Sequence, residues 1–181
     1  MRIIKGRLLD QTCDALVLPV TGYIDSDRCA VFCEEPSLEA ATKWKPLSVA
    51  LGERISRMGS CTQIITTLTS NGGAAMSGIR TDEHIIAFPT RPGRIYHEVD
   101  GWDEVLPEFR NHPPLTLSTP GWMCKSNLRI IQFSTEELVE LTEKHGWHNV
   151  GLPRFAPDLD WADVRAILDK HLDDRFILVE L

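Results

Sequence analysis

Two kinds of side chain in this sequence are chemically able. Asp25, Asp27, Asp158 and Asp160 are carboxylates available for acid–base work. Cys33 is a thiol close to a helix start, where the dipole lowers a thiol's pKa, although Glu34 and Glu35 beside it push that pKa back up. No Ser–His–Asp or Cys–His arrangement can be read from spacing, and Asp160 suits a helix cap while Asp158 suits loop polarity. The expectation is that no residue is catalytic. Metal chemistry is not expected either. Cys29 and Cys33 lie four apart rather than in a C-x-x-C knuckle, and no second pair matches them. Cys13, Cys61 and Cys124 bring the cysteines to five, an odd and irregular set that is no disulfide framework and suits a reducing, cytoplasmic compartment.

The elements that would position these groups alternate. A strand at Met1 to Lys5 is broken by Gly6. The run Ala15-Leu16-Val17-Leu18-Pro19-Val20 is apolar without alternation, as in a strand covered on both faces. Gly22 and Asp25-Ser26-Asp27 make a loop. Pro36, preceded by two acids, opens a helix from Ser37 to Trp44, and a second helix runs from Leu47 to about Met58. Strands follow at Thr62 to Leu68 and Glu83 to Phe88, with a turn at Ser70-Asn71-Gly72-Gly73 between them. Ser126 caps a long helix whose Leu128, Ile131, Leu138 and Leu141 share a face and which Gly146 stops. Then come a strand at Val150-Gly151-Leu152, a helix begun by Asp160 with a stripe of Trp161, Val164, Ile167, Leu168 and Leu172, and a last strand from Arg175. This order predicts an α/β protein, a three-layer helix–sheet–helix sandwich with a mixed, mainly parallel sheet. Residues 92–120 break the rhythm. With Trp102, Phe109, Trp122 just beyond, and Pro107, Pro113, Pro114 and Pro120, they read as a segment inserted into a single domain spanning 1–181.

Composition sets the outer bounds. The chain has 181 residues, 43% of them hydrophobic and 25% charged, which is ordinary for one globular domain. Its formal net charge is −7, the wrong sign for a partner bound through a phosphate backbone, so no nucleic-acid partner is expected. Arg91, Arg94 and His97 are the single local basic cluster, and a solvated loop accounts for them. No apolar run approaches a membrane span and MRIIKGRLL turns polar too soon for a signal peptide, so no membrane partner is expected.

Three stretches in order resemble a macrodomain. Gly6-Arg7-Leu8-Leu9 followed by Asp14-Ala15-Leu16-Val17-Leu18-Pro19-Val20-Thr21 is similar to the family's G-D-[IL] and D-A-[IL]-V-N-x-x-N. Cys29-Ala30-Val31-Phe32-Cys33-Glu34-Glu35, running to Trp44 and Leu51-Gly52, resembles a Gly-rich A-V-M-G-x-G loop and the helix after it. Leu152-Pro153-Arg154 with Asp158-Leu159-Asp160-Trp161, Val164 and Ile167-Leu168 resembles L-P-R-x-G-C-G-x-G-G-L-D-W-x-x-V-x-x-I-L. The likeness covers the chain apart from roughly residues 92–120. It implies recognition of ADP-ribose and, for some members, hydrolysis of ADP-ribosyl bonds. Glycines in the two loops let backbone N–H groups approach a diphosphate, and an early Asp holds the adenine.

The same resemblance locates the departures. The adenine-holding Asp aligns with Arg7, which has no acceptor. The two asparagines align with Leu18 and Thr21. Cys33-Glu34-Glu35 stand where bare backbone should meet phosphate, and the protein there supplies its own anions. A carboxylate about 5.5 Å from a phosphate charge opposes it by about 3 kcal/mol at an effective dielectric near 20, about a hundredfold in affinity. The second loop is short, without glycines, and Pro157 has no N–H to offer. The residues expected to line a ligand cleft are Thr21, Gly22, Phe32, Cys33, Glu34, Glu35, Thr90, Arg91, Trp122, Phe155 and Asp158, although Phe32, Trp122 and Phe155 also suit core or loop packing. The leading expectation is a non-catalytic binding module for ADP-ribose or a related nucleotide with a degenerate phosphate site and no cofactor. The alternatives are a pseudo-macrodomain that binds a protein partner through segment 92–120 and an ADP-ribosyl hydrolase.

Overall fold

The computed structural model describes residues 1–68, 83–96, 101–110 and 118–180. The turn expected at Ser70-Asn71-Gly72-Gly73 lies outside them, as do His97, Pro113 and Pro114. Eight strands and four α-helices are described: β1 (Arg2–Lys5), β2 (Ala15–Val20), α1 (Ser37–Lys43), α2 (Leu47–Met58), β3 (Gln63–Leu68), β4 (Glu83–Pro89), β5 (Arg94–Tyr96), β6 (Ser118–Pro120), α3 (Leu128–His145), β7 (Val150–Pro153), α4 (Trp161–His171) and β8 (Phe176–Glu180). Six strands form one sheet in the order β1-β8-β7-β2-β4-β3. Every pairing in it is parallel except β3 with β4, so the sheet is mixed and mainly parallel as the alternation predicts.

The unbroken apolar run of β2 is explained by its place. All six of its residues are buried, and they alternate between two cores. Leu16 and Leu18 face Trp44, Leu47 and Leu51 of the α1–α2 layer, together with Ile85 and Ala87 of β4. Ala15 and Val17 face Ile131 and Leu138 of α3 and Val164 and Leu168 of α4, together with Ile86 and Phe88. A strand covered by helices on both sides has no solvent face to mark with polar residues.

The helix ends follow local chemistry. Asp160 caps α4 by accepting from Ala162 N at 2.9 Å, and Gly146 closes α3 in the left-handed region at φ 66°. The α3 cap differs from the expectation: Asn127, not Ser126, accepts from Arg129 N and Ile130 N at 2.9 and 3.3 Å. Ser126 is drawn instead into the cluster described below.

The segment at 92–120 contains short structure of its own. β5 and β6 pair antiparallel as a two-stranded sheet. Single turns of 3-10 helix lie at Gly101–Glu104 and Pro107–Phe109, and a third follows at Gly121–Met123. Val105 and Leu106 are buried, and the Leu106 N–H donates to Met123 O at 2.9 Å. Phe109 and Trp122 pack edge to face with ring centroids 5.4 Å apart.

Candidate functional site

The C-terminal ends of the parallel strands deliver the chain to one rim, where an open α/β sheet ordinarily forms its cleft. β2 runs into Thr21 and Gly22, β4 into Thr90 and Arg91, β7 into Arg154 and Phe155, and β1 into Gly6 and Arg7. Two glycines allow the loops above β2 and β4 to meet. A Cβ on Gly93 would overlap the carbonyl of Gly22, and one on Gly121 would overlap the carbonyls of Pro92 and Gly93. Backbone therefore packs on backbone, tied by Gly121 N donating to Gly93 O at 2.9 Å.

Arg91 is the hub of this rim. Its side chain is 5% exposed and its guanidinium is engaged along every edge. Nε donates to Glu34 Oε1 at 3.0 Å, and a terminal nitrogen reaches the same oxygen at 2.8 Å. The other terminal nitrogen donates to Cys124 O at 2.7 Å, and the first also reaches Asp158 Oδ1 at 3.2 Å. The two carboxylate side chains are themselves 9% and 16% exposed, so the triad is withdrawn from water and must satisfy itself. It does so through backbone and hydroxyl donors. Asp158 accepts from Ser126 N and Ser126 Oγ, both at 2.7 Å. Glu34 Oε2 accepts from Ala156 N at 3.2 Å.

Ala156 is a telling position. It holds φ 56°, a left-handed backbone that glycine adopts freely and alanine adopts at a cost of about 1–2 kcal/mol. The second loop thus makes a glycine-like turn without a glycine, and its N–H is aimed at a carboxylate on the first loop. Glu34 and Glu35, read together from the sequence, part company here. Glu34 turns inward to the triad. Glu35 is exposed and accepts from Glu39 N at 3.2 Å in the first turn of α1.

The other residues expected at a cleft are placed as follows. Phe32 is 8% exposed within the α1–α2 core, and Phe155 is 3% exposed with its ring 5.1 Å from Phe88. Both therefore pack as core. The Thr21 hydroxyl is buried and committed to backbone, donating to Val31 O at 3.1 Å and accepting from Tyr23 N at 3.2 Å. Thr90 is buried and its carbonyl receives Asn127 N at 2.9 Å. Trp122 is half-buried against Phe109. The Cys33 thiol is pushed up to about 11 by burial. Arg91 opposes this and Glu34 and Asp158 add to it, so the thiol stays protonated at neutral pH. Asp158, read as loop polarity, is instead the anchor for Arg91 and Ser126.

An open cleft of about 650 Å³ lies beside the triad, over the ends of β1, β8 and β7 and against the start of α1. Arg7, Glu35, Glu39, Arg154 and Glu180 give it charge, and Leu8, Pro36, Pro153 and Val179 give it apolar wall. Of the eleven residues expected to line a cleft, Glu35 alone lies on this one. The resemblance already pointed to Arg7 and Arg154, while the signal for the other two was positional: Glu180 ends a strand and Glu39 lies in a first helical turn. Among the described residues no group of three or more His, Cys, Asp or Glu is placed to hold a metal ion, and no helix is long and apolar enough to cross a membrane.

No protein-family model matches the chain, and no curated protein does. Solved structures do. The macrodomain of Thermus aquaticus DarG superposes with a TM-score of 0.60 at 16% identity, over 99% of this chain and 97% of that one. The macrodomain of Mycobacterium tuberculosis DarG gives 0.59 at 16% identity, over 98% and 95%. Thermosipho africanus DarTG, solved in complex with ADP-ribose, gives 0.61 at 12% identity, over 99% of this chain and 42% of that one. Likeness of this extent, with the strand order and the two helical layers already described, establishes that the chain has the macrodomain fold.

Proposed function

We propose that the chain is a non-catalytic binding module for ADP-ribose or a related nucleotide, with a degenerate phosphate position. One observation carries this reading. The carboxylate of Glu34 rests on the Ala156 amide and on Arg91, a backbone N–H and a guanidinium that are the donors an anionic ligand would use. A ligand phosphate arriving there meets a negative charge already seated, and displacing it would leave a buried side chain unpaired. The fold shared with a protein solved with ADP-ribose supports the nucleotide class. The open cleft supports a binding role, since it leaves room for a base and sugar.

Of the groups able to do acid–base or nucleophilic work, all but the exposed Asp27 are otherwise committed. Asp25 Oδ1 accepts from Asp27 N and Cys29 N at 2.9 and 2.8 Å, Asp160 caps α4, Asp158 holds Ser126 and Arg91, and the Cys33 thiol is protonated. Calorimetric titration with ADP-ribose is the direct test. Weak saturable heat is expected, with no release of ADP-ribose from a modified protein or nucleic acid. Tight binding would remove the case for a degenerate phosphate position. Silence at millimolar ligand would favour the interaction reading, for which Tyr96, 73% exposed on β5, is the aromatic anchor in view.

A further inference from the structure

The six-stranded sheet has two edge strands, and they are finished differently. At β3 the register shifts at Ile65, whose carbonyl accepts from Arg54 Nε at 3.1 Å. A bulge and a covering side chain are ordinary ways to close an edge. At β1 the edge is bare. Gly6 N donates to Glu180 O at 2.8 Å, so in this parallel pair the even-numbered residues of β1 bond to β8. The N–H and C=O of Ile3 and Lys5 therefore point away from the sheet, and among the described residues no hydrogen bond reaches them. The two side chains share a face and both are exposed, Ile3 to 48%.

The charge of this edge is opposite to that of the chain. Lys5 makes no ion pair among the described residues, although Glu180 is its register partner on β8. Arg2 donates to Asp174 O and Asn149 Oδ1, which are uncharged acceptors. The edge thus carries two cations without a carboxylate partner, in a chain of net charge −7.

We propose that β1 is a docking edge for an extended segment of another protein, added to the sheet as a further strand, with an acidic side chain against Lys5 and an apolar one, two residues away, against Ile3. The outward backbone groups supply the main-chain hydrogen bonds, and the two side chains select the sequence. Lysine on an edge discourages pairing in general and leaves an acidic strand as its complement. A second copy of this chain is the wrong occupant, because pairing β1 with itself brings both Arg2 and both Lys5 side chains into one seam. The edge lies outside the open cleft and the Arg91 cluster, so the inference goes beyond the nucleotide reading and does not depend on it.

The probe is the peptide Val-Thr-Glu-Thr-Val-Thr-Glu, which sets valine and glutamate alternately on one face in either strand direction. It is titrated into the full chain and followed by amide NMR shifts. Saturable binding is expected, with the largest shifts at the Ile3 and Lys5 amides and with weakening as salt is raised. The same peptide with lysine in place of glutamate should bind about tenfold more weakly. Ile3→Pro removes an outward N–H and no bond to β8, so the fold should hold and binding should be lost. Lys5→Glu, at an exposed position, should weaken the acidic peptide about tenfold and reverse the preference between the two peptides. Absence of saturation at millimolar peptide, equal binding of the two peptides, or binding unchanged in a folded Ile3→Pro or in Lys5→Glu would overturn the proposal. So would a dimer, formed without peptide, that protects the Ile3 and Lys5 amides. ADP-ribose titration of Lys5→Glu should match the parent's, which separates failure of the docking edge from failure of the nucleotide module.

Discussion

Two halves of one sheet rim are finished in opposite ways. Over β2 and β4 the rim is closed: Arg91, Glu34, Asp158 and Ser126 form a buried, mutually satisfied cluster. Over β1, β8 and β7 the rim is open, and its charged groups face about 650 Å³ of accessible space. The same strand ends and the same kinds of residue produce both. What differs is whether the charges find one another across loops or are left at a wall. The charges of the closed half make internal contacts, and those of the open half border the cleft.

The closed half depends most heavily on Arg91. Arg91→Met leaves Glu34 and Asp158 buried without their cation and is expected to destabilise the fold by about 3–5 kcal/mol. Urea or thermal unfolding would read it, and a loss under 1 kcal/mol would mean that the triad is no real closure. Next in size, Glu34→Ala combined with Glu35→Gly opens the closed half. ADP-ribose affinity is expected to rise by about a hundredfold, with Arg91 still anchored by Asp158 and Cys124 O. Unchanged calorimetric affinity in a folded double variant would remove Glu34 as the obstacle.

A control sits at the opposite end of the same sheet. The Glu83 carboxyl is pushed up to about 7 by burial, with Lys43 and a backbone hydrogen bond from Cys13 opposing. The folded state therefore holds this proton more tightly than the unfolded chain does. That contribution is full below about pH 4.5 and is lost as pH rises through about 7. Glu83→Gln should flatten that slope, gaining on the order of 2 kcal/mol at pH 8. It should leave both halves of the rim unchanged, and a slope identical to the parent's would refute the shift. The smallest effect is at Ala156, where Ala156→Gly relieves the left-handed backbone but removes a buried methyl and loosens the unfolded chain, so stability should change by less than about 0.5 kcal/mol in the same melts.

How much of this was legible depends on sequence distance. The β2 run announced a doubly covered strand because burial on both faces leaves a pattern within six residues. Asp160 and Gly146 announced helix ends because capping is local. Ser126 and Asn127 are adjacent and both able caps. The choice between them is made by Asp158, which lies 32 positions away and takes the serine. Arg91 looked like part of a solvated loop for the same reason, since its carboxylate partners are 57 and 67 positions distant. The strands at 92–120 gave no periodic signal because β5 and β6 are only three residues long. The charged wall of the open cleft went unread as a wall because Arg7, Glu39, Arg154 and Glu180 come from four separate strand or helix ends, and no one short motif joins them.

Strand order also carries a consequence for assembly. β1 is held by β8 alone, and β8 is slotted between it and β7, so the strand nearest the N-terminus has no mate until the last described strand is in place. Such pairing across almost the whole chain is slow, because a very long loop must close before any contact rewards it. The Arg91 cluster needs no residue beyond Asp158, which precedes α4 and β8, and is free to set earlier. The open half of the rim, which rests on the β1–β8 pairing, therefore completes its shape after the Arg91 cluster, and a variant lacking β8 would lose that half first.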